Sequence, residues 1–253
     1  PVCVTSSHAD LDMYRNRVDY MLYVQKRLWS GFSEAFRLCN NGVRLQRACT
    51  YKGIFNMATP FFRTSAGTGN EYTLLISDIL PSWQNYPKRN HCIICAGNRS
   101  SAGEYHEPGR AVYCVLPKNG ASIAIAPTAD MWYSFPRLKK YGIDTLDDFN
   151  RELVLFLSSA SGMPQTAIEQ IFQDSDVPAV LKLFKDIEAD AKTLKRTSSL
   201  EFEDFLISGL NIGEPLTMLL DRLLSPDANG FSVCRISELA EIKTEAWTSS
   251  ECL

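Results

Sequence analysis

The feature that most constrains the fold is a change of hydrophobic period that begins at residue 128 and reverses after residue 224. Between those points apolar residues recur three and four apart: Leu146, Phe149, Leu153 and Leu157, then Ile168, Ile171 and Phe172, then Val180, Leu183, Phe184 and Ile187. Phe202, Phe205 and Leu206 continue the pattern, and Leu216, Leu219, Leu220 and Leu223 end it. This spacing gathers apolar side chains on one face of successive helices. Pro164, Pro178 and Pro215 fall where breaks are expected, because proline has no amide proton to give to a helix interior.

Outside that block the apolar residues come in short, strand-like runs. Strands are expected within Val43 to Cys49, Ile54 to Met57 and Pro60 to Arg63, then at His91 to Ala96, Ala111 to Leu116 and Ser122 to Ala126, and again in FSVCRI and TEAWTSSECL near the end. Lys118-Asn119-Gly120 separates two of these runs, and Asn-Gly between β-type runs predicts a hairpin. Two helices complete the picture. One covers Asp10 to Cys39, or is a pair meeting near Gly31, and is stopped by Asn40-Asn41-Gly42; the other covers Asn70 to Leu80, with Asn70 as cap and Pro81 as terminator. A β-rich core interrupted by helices makes the fold class α+β. Residues 1–50 form an N-terminal helical region, 51–127 the first part of the core, 128–224 a helical insertion and 225–253 the strands that complete the core.

Composition narrows the function classes. Apolar residues make up 45% of the 253-residue chain and charged residues 22%, enough for a sizeable core. A net charge of -3 gives no electrostatic reason to expect tight, sequence-independent nucleic-acid binding, while leaving room for a local basic patch. No apolar run approaches the roughly 20 residues of a membrane helix, and PVCVTSSHADLD lacks the regions of a signal peptide. A cytoplasmic protein with no membrane partner is expected. Several of the eight cysteines lie inside apolar runs, Cys92, Cys95, Cys114 and Cys234 among them, as small hydrophobes in a reducing setting would.

Individual motifs each carry a plain alternative. Cys92 and Cys95 have the spacing of a zinc or redox pair, but residues three apart on a strand point to opposite faces and no second pair accompanies them. No metal site is expected. Gly67-Thr68-Gly69 lacks the third glycine of a dinucleotide fingerprint and reads as a turn. Asp130, before Met131-Trp132-Tyr133, is a catalytic carboxylate or a helix cap. With Glu104 and Glu107 it could also serve a metal-dependent nuclease, although the three lack a ligand spacing. Glu245 opens the last strand-like run and is either functional or a solvated strand-end acid.

Three segments taken together resemble a known family. Phe62-Arg63-Thr64-Ser65 ends one strand-like run; Cys95-Ala96-Gly97-Asn98-Arg99-Ser100-Ser101-Ala102-Gly103-Glu104-Tyr105 ends another in small residues, a serine and a tyrosine; and Glu245 opens a late one. That order resembles the ADP-ribosyltransferase superfamily, as a divergent member of the bacterial or phage effector and toxin kind. The resemblance implies a split β-sheet core that binds NAD. Arg63, Thr64, Ser65, Gly67, Ser100, Tyr105 and Trp132 would contact NAD, and Glu245 would be the catalytic carboxylate. ADP-ribose would pass from NAD to a protein or nucleic-acid acceptor. Cys95-Ala96-Gly97 stands where the Arg branch of the family has Ser-Thr-Ser, and Lys243 where arginine-modifying members carry an acid or amide, so the acceptor is open. The alternative is a non-catalytic binding or virion-associated protein that uses the helical block as its interaction surface.

Overall fold

A computed structural model describes residue 26 and residues 30–50, 56–62, 70–97, 110–194, 196 and 201–253. In chain order the named elements are α1 (Ser33–Asn40), β1 (Leu45–Thr50), α2 (Glu71–Leu74), β2 (Ile93–Ala96), β3 (Arg110–Val115) and β4 (Ser122–Ile125). There follow α3 (Leu146–Ser161), α4 (Gln165–Gln173), α5 (Val177–Ala189), α6 (Glu201–Asn211), α7 (Leu216–Leu224), α8 (Pro226–Asn229), β5 (Ser232–Arg235) and β6 (Glu245–Thr248). The chain is therefore α+β. It divides into two compact units, one of Pro1–Phe61, His91–Ala129 and Ser232–Leu253, the other of Phe62–Asn90 and Asp130–Phe231.

All six strands belong to the first unit and form one sheet of order β3-β1-β2-β6-β4-β5. Every pairing is antiparallel. The last strand in sequence is thus an interior one, joining β2 to β4, and all four of its residues are buried. One face carries Leu45, Ile93, Cys95, Ile123 and Ala246 against Phe32 and Ala35 of the α1 region. α1 starts after Phe32, where the helix breaks beside Gly31, and it ends at Asn41 and Gly42; Gly42 has φ 91°, a left-handed conformation that suits glycine.

The expected hairpin does not form. β3 and β4 lie at separated positions, β3 at one edge beside β1 and β4 between β6 and β5. Asn119 and Gly120 do turn, but the turn clasps α1. Asn119 Oδ1 accepts the Glu34 N–H at 3.0 Å, the Asn119 N–H donates to the Gly31 carbonyl at 2.7 Å, and the Gly120 N–H donates to Glu34 Oε2 at 2.8 Å. Phe32, at the cap position, supplies no side-chain acceptor of its own. Asn119 fills that role from 85 residues away and satisfies an orphan amide of the first helical turn.

The second unit is helical, and its helices begin and end where the sequence pattern places them. Thr145 caps α3 with a reciprocal capping box to Asp148. Pro164 and Pro215 precede α4 and α7, and Pro178 sits in the first turn of α5. Phe149, Leu153, Leu157, Ile168, Phe172, Val180, Leu219 and Leu220 are sealed from solvent at 0% exposure. Burial of each such side chain contributes about 1.5–3 kcal/mol. α2 begins after Asn70, whose side chain makes no capping bond, and runs into a π-helical turn, Leu75–Ile79, before Pro81.

Candidate functional site

Glu245 opens β6 directly opposite Ala96, the last residue of β2. Its backbone is fixed on both sides. The Glu245 N–H donates to the Thr128 carbonyl at 3.1 Å, and its carbonyl accepts the Ala126 N–H at 2.9 Å. One step along, the Gly97 N–H donates to the Thr244 carbonyl at 3.0 Å. A side chain at residue 97 would collide with the Ile242 carbonyl, 2.2 Å from a Cβ built there. The sheet therefore requires glycine where the family resemblance would put a hydroxyl residue.

Glu245 is no solvated strand-end acid: it is 8% exposed, and its Oε1 is closed to solvent. Side chains alternate along a strand. Ala246 faces the cluster beneath α1, so Glu245 lies on the opposite side together with Trp247, which is 1% exposed. The charge of Glu245 reaches the neighbouring strand. Burial pushes the Cys95 thiol up to about 12, opposed by Arg47 and reinforced by Cys92 and Glu245. Arg47 of β1 spans toward β2, its Nη1 donating to the Ile94 carbonyl at 3.1 Å. Arg47 was missed in the sequence; the signal for it was a lone arginine inside the apolar run Leu45-Gln46-Arg47-Ala48-Cys49.

Of the other sequence candidates, Trp132 is partly buried in the 3-10 turn Met131–Tyr133 of the helical unit. Asp130 is a cap: its Oδ1 accepts the Trp132 N–H at 2.9 Å. Arg63, Thr64, Ser65, Gly67, Ser100 and Tyr105 lie outside the described residues, as do Glu104 and Glu107. Of the sequence-read site, the structure brings together Glu245 and the strand that precedes Ser100 and Tyr105 in sequence. Cys92 and Cys95 are buried at 0% and 3% exposure, while His91 is exposed. Among the described residues, no group of three or more His, Cys, Asp or Glu side chains is disposed to hold a metal ion, and no helix is long and apolar enough to cross a membrane.

The helical unit holds a second buried acid. Glu71, in the first turn of α2, is 3% exposed, and its Oε2 has no hydrogen-bond partner among the described residues. Burial pushes its carboxyl up to about 6, helped by the charges of Glu169 and Asp147 and opposed by a hydrogen bond to its own backbone. A carboxyl held there exchanges a proton under mildly acidic conditions. Sequence reasoning found this helix and its apolar face but passed over the acid, because a glutamate in a first turn is ordinarily a solvated partner of the helix dipole.

Comparison with family models, curated proteins and solved structures finds no match for the chain.

Proposed function

We propose that this chain is an ADP-ribosyltransferase that takes NAD as substrate and transfers ADP-ribose to a protein or nucleic-acid acceptor, releasing nicotinamide. The observation that carries the reading is the register of β2 and β6, which sets Glu245 opposite Ala96 at the point where β2 leads toward Ser100 and Tyr105. Cys95 and Ala96, which open the second of the three segments behind the sequence resemblance, thus pair with the strand that Glu245 opens. On this reading the sheet unit is the NAD-binding core of an ADP-ribosyltransferase-like fold. Arg63, Thr64, Ser65, Gly67 and Trp132 enter through the resemblance alone.

The chemistry asks for a fixed negative charge. When the bond between nicotinamide and ribose breaks, its electron pair leaves with nicotinamide and positive charge develops on the ribose. A carboxylate held close by a rigid strand stabilises that charge without reorganising. The backbone bonds from Glu245 to Thr128 and Ala126 supply the rigidity. The acceptor then attacks the ribose carbon and gives up its proton.

A second reading, a non-catalytic binding protein, is supported by the burial of Glu245 at 8% exposure, which also suits a structural carboxylate. The helical unit exposes Ile212 at 82% and Met218 at 48%, apolar side chains that a binding surface would use. Incubation with labelled NAD and cell lysate separates the two. Label on protein or nucleic acid, with an NAD-induced rise in melting temperature, supports the transferase. Absence of both supports the binding protein.

A further inference from the structure

None of the described cysteines is in a disulfide, yet two of them meet. Sγ of Cys39, in the last turn of α1, lies 3.2 Å from Sγ of Cys114, on the edge strand β3. A disulfide brings two sulfurs to about 2.05 Å, so an approach of about 1.2 Å would complete the bond. Both residues are half-buried and open to a small reagent.

We propose that Cys39 and Cys114 are a reversible oxidative modification site, closing to a disulfide that ties the end of α1 to the outer strand of the sheet. Arg44 stands beside the pair. Its charge and a hydrogen bond act on Cys39, and its buried Nε makes no hydrogen bond among the described residues. The contact with Cys114 draws the Cys39 thiol down to about 6, with Arg44 assisting against burial. The thiolate is the nucleophilic form of cysteine, so Cys39 is the attacking member. Elsewhere burial has the opposite effect: it pushes the thiol of Cys95 up to about 12 and that of Cys252 higher still, leaving both inert.

With a disulfide oxidant such as oxidised glutathione, the Cys39 thiolate attacks one glutathione sulfur and expels glutathione thiolate, leaving a mixed disulfide on Cys39. Cys114 then loses its proton and attacks Cys39 Sγ, and the second glutathione departs. One protein disulfide and two glutathione thiols result, balancing one oxidised glutathione and two protein thiols.

The test treats the full chain with oxidised glutathione, blocks the remaining thiols, digests it and maps the cysteines by mass. The expected result is a peptide pair joined through Cys39 and Cys114, lighter by two hydrogens and separated again by dithiothreitol. In Cys114→Ser, glutathione is expected to stay attached to Cys39. Joining of a different pair, glutathione persisting on Cys39 while Cys114 is present, or no change in either cysteine would overturn the proposal. The wild-type map decides the matter even if the variant fails to fold.

Discussion

Within the helical unit the helix starts, and within the sheet unit the strand pairings, rest on contacts of different range. In the helical unit some helix starts are set by their own neighbours: Thr145 and Asp148 close a capping box three residues apart, and Asp176 Oδ1 accepts the Ala179 N–H at 3.0 Å, although the Tyr72 N–H of α2 donates to Asn150 Oδ1 of α3, 78 residues away. In the sheet unit the decisive contacts are distant in sequence. β6 pairs with β2 and β4, Asn119 caps a helix 85 residues away, and Ala58 bridges to Cys252. Long-range pairing makes the sheet depend on its last strand.

Truncation before Glu245 sharpens that difference most. It removes the strand that joins β2 to β4. The expected outcome is loss of amide-exchange protection throughout β1 to β5, with protection in α3 to α7 retained; uniform loss in both units would contradict it.

Glu71→Gln probes a buried acid of the helical unit. The folded carboxyl is raised above its ordinary value of 4.5 to about 6. The fold therefore favours the protonated acid. Its contribution is fully present below the unfolded pKa and is lost as pH rises through about 6. A displacement of that size corresponds to about 2 kcal/mol at neutral pH. Glu71→Gln should recover most of it and flatten the stability profile between pH 4.5 and about 6. Denaturant titrations across that range check this, and an unchanged slope would contradict it.

The smallest effect is expected at the clasp. Asn119→Ala removes the acceptor for the Glu34 N–H and should cost about 1 kcal/mol, as other cap deletions do. Amide exchange at the start of α1 should quicken while the helical unit is unaffected.

The same difference of range explains what the sequence made legible. Periodicity and proline placement foretold the helical elements because both act within a few residues. Strand segments were visible too: Ile93–Ala96, Ser122–Ile125 and Ser232–Arg235 fall in runs read as β, and Arg110–Val115 starts one residue before its run. Their partners were not. Asn119-Gly120 has the chemistry of a hairpin turn, and nothing local reveals that its amide groups are taken by α1. At the candidate site, Glu245 was legible as a residue type at a strand start. Its burial was not, since that follows from β6 lying between two other strands. Arg47 and Glu71 escaped for the related reason that a lone charge reads as solvated until its surroundings are known.

The central claim rests on Glu245, and the most direct measurement is nicotinamide release from NAD by the wild-type chain and by Glu245→Gln, with the fold of each checked by its thermal melt. The account predicts release by the wild-type chain, a loss of about 10²–10³-fold in the variant, and NAD binding largely retained. Equal release by both chains, or none from the wild-type chain, would contradict it.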